Sequence, residues 1–431
     1  MRSAYPATAR RLSTTGHFLH RGALLQHRFL ALTSRGVAIV CEASGLMAAT
    51  ATETETEAEQ RVTALELFFD LVFVFAITQV TQFIAHDPDA EHLIEGMAVL
   101  IAVWWAWGCY AWLGNTAGSD DGLFRVALLA AMAAMAVAAI AVPRAFGADA
   151  LAFGVAYCAV RVLHIVAYAI LARADPSLRI VVRRLGRAMI PTGLLYVVAG
   201  LVEHEARYAC WALAIAIDLG GLYVQGVQGW RVQAGHLAER YGLIIIIALG
   251  ESVVSVGVGA EGQPMDADLI GGVLLGMAAA AALWWAYFDV VAIVAERRFR
   301  AAAPDAQVLI ARDSYTYLHL PMVAGIVLFS LGVKTTLGHG GEHLETVPAI
   351  GLCGGAALYL LAHVAFRLRN VGTLNRGRLL VAIVLVALIP VAAAVPALAA
   401  LAAVSVLLCG LMAYEFVHFH EARERLRHAL T

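Results

Sequence analysis

The sequence predicts an all-α polytopic membrane protein of twelve transmembrane helices, arranged as two six-helix halves. Three observations predict it. Of the 431 residues, 14% are charged and 61% are hydrophobic, whereas soluble domains carry about 25% charged residues. From residue 64 onward, apolar runs of about 20 residues recur, each long enough to cross a hydrocarbon core of ~30 Å. The arginines concentrate in every second connection between runs.

Residues 1–46 stand apart. They hold six arginines (2, 10, 11, 21, 28, 35) and one acid, Glu42, which is the composition of an organellar transit peptide. The reading adopted is that Met47 is the true first residue and that residues 1–60 contribute no fold. The apolar runs follow at 64–84, 92–113, 123–142, 149–171, 188–203, 207–228, 237–259, 267–293, 308–333, 347–368, 378–395 and 397–417. Turn residues separate them: Asp87-Pro88, Gly114-Asn115, Pro143, Asp175-Pro176, Gly262-Gln263-Pro264 and Gly338 to Gly341. Pro390 and Pro396 divide the last Ala/Val-rich stretch, and Pro321 is expected to kink its helix or free a carbonyl there. The halves are 61–232 and 233–420, with a tail at 421–431.

With the amino terminus in the cytoplasm, nineteen arginines fall in inner connections and the tail, Arg240 and Arg378 among them. Only Arg144, Arg207 and Lys334 fall outside. That bias places both termini in the cytoplasm. The two halves echo one another. Glu66 to Gln82 (ELFFDLVFVFAITQVTQ) is answered by Glu239 to Ser255 (ERYGLIIIIALGESVVS), and Trp104-Trp105 by Trp284-Trp285. Offsets of 173 and 180 suit a parallel repeat about an axis along the membrane normal. The tryptophan pairs read as interfacial anchors.

Carboxylates inside a membrane helix are tolerated when paired or turned to a polar interior. Glu66, Asp70 and Thr81 share one face of the first helix, and Gln79 lies off it. Two readings stand for Asp70: a proton or cation site, or a structural carboxylate paired with an arginine at the cytoplasmic edge. Glu66, nearer the interface, reads as a solvated helix-end group. Glu251 lies about 18 Å along the seventh helix at ~1.5 Å per residue, beside residues that permit close packing. Arg161 is the one arginine placed deep in a helix, and Asp70, Asp218, Glu251 or Asp289 could each serve it. His164 and His319 are further buried candidates, and Asp218 and Asp289 further intramembrane carboxylates. Asp70 and Glu251 are expected to share one polar site between the halves.

The six cysteines are scattered without CxxC or metal spacing. No GxSxG with a partner, HExxH or P-loop occurs, and no GxGxxG follows a strand, so no enzyme, cofactor or metal centre is expected. The net charge of −2 says nothing about nucleic-acid or anionic partners, and no nucleic-acid partner is expected of a polytopic membrane protein of this kind. The expected partners are the lipid bilayer and a small solute or ion.

ELFFDLVFVFAITQVTQ, HLAERYGLIIIIALGESVVSV, WWAYFD and SYTYLHLPMVAGIVL together resemble the low temperature requirement protein A (LtrA) family of bacterial membrane proteins, over about residues 62–370. The resemblance implies a protein of the bacterial cytoplasmic membrane with a link to growth in the cold, and it assigns no catalytic residue. The function expected from the embedded carboxylates is secondary transport coupled to protons or cations. The alternatives are a cation channel and a non-transporting membrane protein of cold or stress adaptation.

Overall fold

The computed structural model describes residues 61–116, 122–226 and 229–418. The expected Met47 start, the 1–60 extension and the 421–431 tail lie outside the described residues. Every regular element described is helical. The first half comprises α1 (Ala64–His86), α2 (Ala90–Thr116), α3 (Gly122–Ala141), α4 (Ala150–Ala174), α5 (Arg179–Leu201) and α6 (His204–Gln225). The second comprises α7 (Ala234–Ala260), α8 (Ala267–Phe288), the short α9 (Val291–Ala301), α10 (Pro304–Gly338), α11 (Thr346–Val371), α12 (Arg376–Ala392) and α13 (Ala397–His418).

Local chemistry sets the helix ends. Thr63 and Glu66 form a reciprocal capping box at the start of α1. Asp266 caps α8 and Asn375 caps α12 through their side chains. The eighth helix ends earlier than its apolar run: a two-residue turn at Asp289 and Val290 separates α8 from α9, so Asp289 stands at a helix terminus and not within a span. In α10, Ala311–Tyr317 is π-helical. Pro321 has no N–H to offer the carbonyl four residues back, which is Tyr317, where the wide turn closes.

Among the described residues, ten helices are long and apolar enough to cross a membrane. Those ten do not include α5, which opens with Arg179, Arg183, Arg184 and Arg187, or α12, which has 17 residues. Packing register shows that these two cross as well. Hydrogen bonds join Glu66 to Arg240 and Thr78 to Glu251, at sequence separations of 174 and 173. A constant separation means that α1 and α7 run parallel, so an odd number of crossings lies between them, and with α2, α3, α4 and α6 supplying four, α5 supplies the fifth. Along α4 and α5 the pairing runs the other way: a Cβ on Gly154 would meet the Tyr196 carbonyl at 2.2 Å, and one on Gly200 would meet Leu151 at 2.4 Å. α5 therefore lies antiparallel against α4. Ser405 and Cys409 of α13 donate to the carbonyls of Leu275 and Ala278 on α8, which makes α8 and α13 parallel and requires α12 to cross. Ala64 and His418 thus lie at the same end of a twelve-crossing bundle.

The outer faces are apolar, with Val126, Ile140, Leu194, Leu274, Leu380 and Val406 exposed as a lipid-facing belt. The first tryptophan pair is not interfacial. Trp104 and Trp105 are buried, and Trp104 Nε1 donates to the Thr316 carbonyl in the π turn at 3.0 Å. Trp284 and Trp285 are part-exposed, as an anchor would be.

Candidate functional site

Four polar clusters stand out among the described residues. The first lies where α1, α2 and α7 meet. Glu66 and Asp70 are four residues apart, so both project from one face of α1 toward one guanidinium. Arg240 donates from Nη1 to Glu66 Oε1 at 2.8 Å and from Nη2 to Asp70 Oδ1 at 2.7 Å. Trp107 Nε1 donates to the same Asp70 oxygen at 2.9 Å, and His236 Nε2 lies 3.3 Å from Glu66 Oε2. Asn115 exchanges two hydrogen bonds of 2.8 Å with the Gln233 backbone, fixing the end of α2 to the start of α7. Glu66 is only 7% exposed, so it is not a solvated helix end, and Asp70 has the arginine partner that one of its readings required. Arg240, placed in a connection from the sequence, is 1% exposed. Arg161 is accordingly not the sole deep arginine.

The second cluster belongs to α4, α5 and α6. Arg161 bonds Asp218, and its Nη2 reaches Thr192 Oγ1 at 2.9 Å. Of the four acids that could have served Arg161, Asp218 is the one chosen. His164 Nε2 sits 2.9 Å from the Cys109 carbonyl. A cavity of about 60 Å³ adjoins this pair, lined in part by Trp105, Trp112 and Trp230.

The third cluster is centred on Glu251, in the middle of α7. Thr78 Oγ1 donates to its Oε2 at 2.5 Å and Ser255 Oγ to its Oε1 at 3.3 Å. Half-buried Lys334 of α10 interacts with it through space and forms no ion pair with it. Thr78 stands eight residues beyond Asp70, about 12 Å along α1 at ~1.5 Å per residue. Asp70 and Glu251 therefore occupy two separate sites on one helix pair, not the single site expected. The α1–α7 seam as a whole holds three buried carboxylates, Glu66, Asp70 and Glu251, against one buried guanidinium.

The fourth cluster was not read from the sequence. Arg378 of α12 pairs with Glu415 of α13 at 2.8 Å and donates to His363 Nδ1 of α11 at 3.1 Å. Asp289 lines the cavity beside it. His319 contacts Tyr287 Oη at 2.9 Å and the Ser314 carbonyl at 3.0 Å, a satisfied core histidine between α8 and α10. Gln79 is half-buried and joins none of the clusters.

A sequence signal for Arg240 did exist. His236 and Arg240 repeat the four-residue spacing of Glu66 and Asp70 at an offset of 170, so an acidic pair and a basic pair open two helices in matching register.

Among known proteins, the family model described as bacterial low temperature requirement A protein (LtrA) matches residues 61–413. An uncharacterized protein of Rhizobium meliloti (strain 1021), RA0937, is 29% identical over 315 residues, covering 68% of this chain and 74% of that protein.

Proposed function

From the premise that the chain belongs to the bacterial LtrA family, we propose that it is a secondary transporter coupled to protons or cations, with Glu251 as the coupling group. The observation that carries this reading is the charge imbalance of the α1–α7 seam. An isolated buried carboxylate is costly in a low-dielectric interior. Three buried carboxylates face one buried guanidinium, with half-buried Lys334 acting on Glu251 only through space, so a proton or a cation on Glu251 completes the balance in this reading. Glu66 and Asp70 are tied to Arg240. The hydrogen-bonding partners of Glu251 are hydroxyls, those of Thr78, Thr81 and Ser255, which can serve a carboxylate or a carboxyl group, and Lys334 acts on it only through space.

The position of Glu251 supports the same reading. Thr78 and Glu251 are separated by the 173 residues that relate Glu66 to Glu239 in the two halves. Residues equivalent under a two-fold repeat meet close to its axis, where relative motion of the halves is felt as a change of contact. The arginine distribution supports a cytoplasmic membrane location with both termini inside.

The test is flux in proteoliposomes under an imposed pH gradient, with a solute panel, for the parent chain and Glu251→Gln. The amide fills the space of the carboxyl, so Glu251→Gln is expected to melt within ~1 kcal/mol of the parent. It should lose gradient-driven uptake while keeping counterflow exchange. Normal gradient-driven uptake by Glu251→Gln would remove the coupling role. A voltage-driven, non-saturating cation flux would replace the transporter with a channel, and the absence of any flux would favour a non-transporting role in cold or stress adaptation.

A further inference from the structure

A cavity of about 260 Å³ lies where the carboxyl ends of α8, α11 and α13 meet the amino ends of α9 and α12. Its wall divides by chemistry. Trp285, Val291, Val294 and Phe366 supply apolar surface. The polar side is built from Asp289, His363, Arg367, Asn370, Asn375, Arg378 and Glu415.

The hydrogen bonds on that wall decide what it can still bind. Arg378 donates from Nε to Glu415 Oε1 at 2.9 Å and from Nη2 to Oε2 at 2.8 Å, and Asn375 Nδ2 adds a bond to Oε1 at 2.9 Å. Both oxygens of Glu415 are thus taken, and Asp289 is engaged as well. The third arm of Arg378, Nη1, points at His363 Nδ1 at 3.1 Å. A guanidinium can only donate, so Nδ1 accepts and the ring proton sits on Nε2. His363 is 1% exposed, yet its Nε2 finds no acceptor in the protein. Native structures rarely leave a buried donor in that state. One turn along α11, Arg367 uses Nε on Thr373 Oγ1 at 3.0 Å and leaves its terminal nitrogens uncommitted. The spare capacity of the wall is therefore donor capacity, at two points on one face of a helix, opposite an apolar surface.

We propose that this cavity binds a small anion with an apolar body, a monocarboxylate of roughly ten non-hydrogen atoms. Its carboxylate accepts from His363 Nε2–H and the Arg367 guanidinium, and its apolar part lies against Trp285 and Phe366. The size agrees: an apolar cavity of about 150 Å³ holds benzene, and this one holds that ring with a carboxylate attached. The site is independent of Glu251 and stands whether or not the chain transports. An anionic lipid presents the same chemistry, a negative head on an apolar body, and is the other source of such a ligand.

The experiment is equilibrium binding of radiolabelled benzoate to the purified full chain in phosphatidylcholine nanodiscs, with benzylamine and benzyl alcohol as competitors. Saturable benzoate binding that the amine does not displace is expected. Arg367→Gln should weaken it about tenfold, the value of one charge-assisted bond, and Val294→Trp should abolish it by filling the cavity at an unchanged melting temperature. Loss of benzoate binding in nanodiscs containing phosphatidylglycerol would assign the site to an anionic lipid and keep its anion chemistry. Absence of saturable binding in phosphatidylcholine, equal displacement by the amine, or binding indifferent to both substitutions would overturn the proposal.

Discussion

Arg240 serves two carboxylates with one planar group, using separate nitrogens for Glu66 and Asp70. The arrangement is strong as a unit and fragile in its parts, because removing the guanidinium leaves two buried acids without compensation. Arg240→Met should therefore destabilise the protein by about 3–5 kcal/mol, read as a lowered melting temperature in detergent. Adding Glu66→Gln and Asp70→Asn should restore most of the loss, since the neutral triad has no charge to pair. A single Arg240→Met variant that melts like the parent would remove the triad from the stability account. By the same reasoning Asp218→Asn should destabilise through Arg161, and the Arg161→Met, Asp218→Leu double variant should recover. The acids of these clusters were legible in the sequence because a carboxylate in an apolar run is conspicuous. Their partners were less so. Arg240 stands at the edge of its run, where arginines ordinarily face the headgroups, and nothing local distinguishes an inward-facing edge arginine from an outward-facing one. Arg378 and Glu415 were hidden in the same way at the edges of α12 and α13.

The helices themselves were readable from hydropathy, and the twelve expected runs correspond to the twelve crossing helices. Discrepancies arose where backbone geometry and not hydropathy decides. The apolar run at 267–293 continues past the turn at Asp289 because α9 covers a cavity with Val291 and Val294 and so remains apolar on one side. Contact between helices is also set by backbone approach. A Cβ on Gly332 of α10 would fall 2.4 Å from the Leu352 backbone nitrogen of α11, whereas one on the exposed Gly257 of α7 meets nothing within 4 Å. Gly332→Ala should force the two helices apart and cost about 1–3 kcal/mol. Gly257→Ala should be neutral or stabilising by up to ~1 kcal/mol, as expected for a helical glycine with room for a methyl group. Melting curves of the two variants side by side test the contrast, and equal behaviour would show that α10 and α11 do not pack at glycine distance.

For the molecule as a whole, register places the α7–α8 and α11–α12 connections at opposite ends of the bundle. Single cysteines at Gln263 and Thr373, both exposed, in a cysteine-free background should therefore react from opposite sides of the membrane. An impermeant maleimide should label the Gln263 position in intact cells and the Thr373 position only after permeabilisation. Labelling of both in intact cells would break the twelve-crossing topology. The parallel seam of α1 and α7 also has a consequence in time. Asp70 and the arginine that neutralises it are 170 residues apart, and a ribosome adding about 5–20 residues per second needs roughly 10–30 s to bridge that interval. Throughout it, α1 is already made while its counter-charge has yet to leave the ribosome. The newborn first half must wait with its acids protonated, hydrated or held by a helper, so the seventh helix acts as the latch that ends biogenesis of the first.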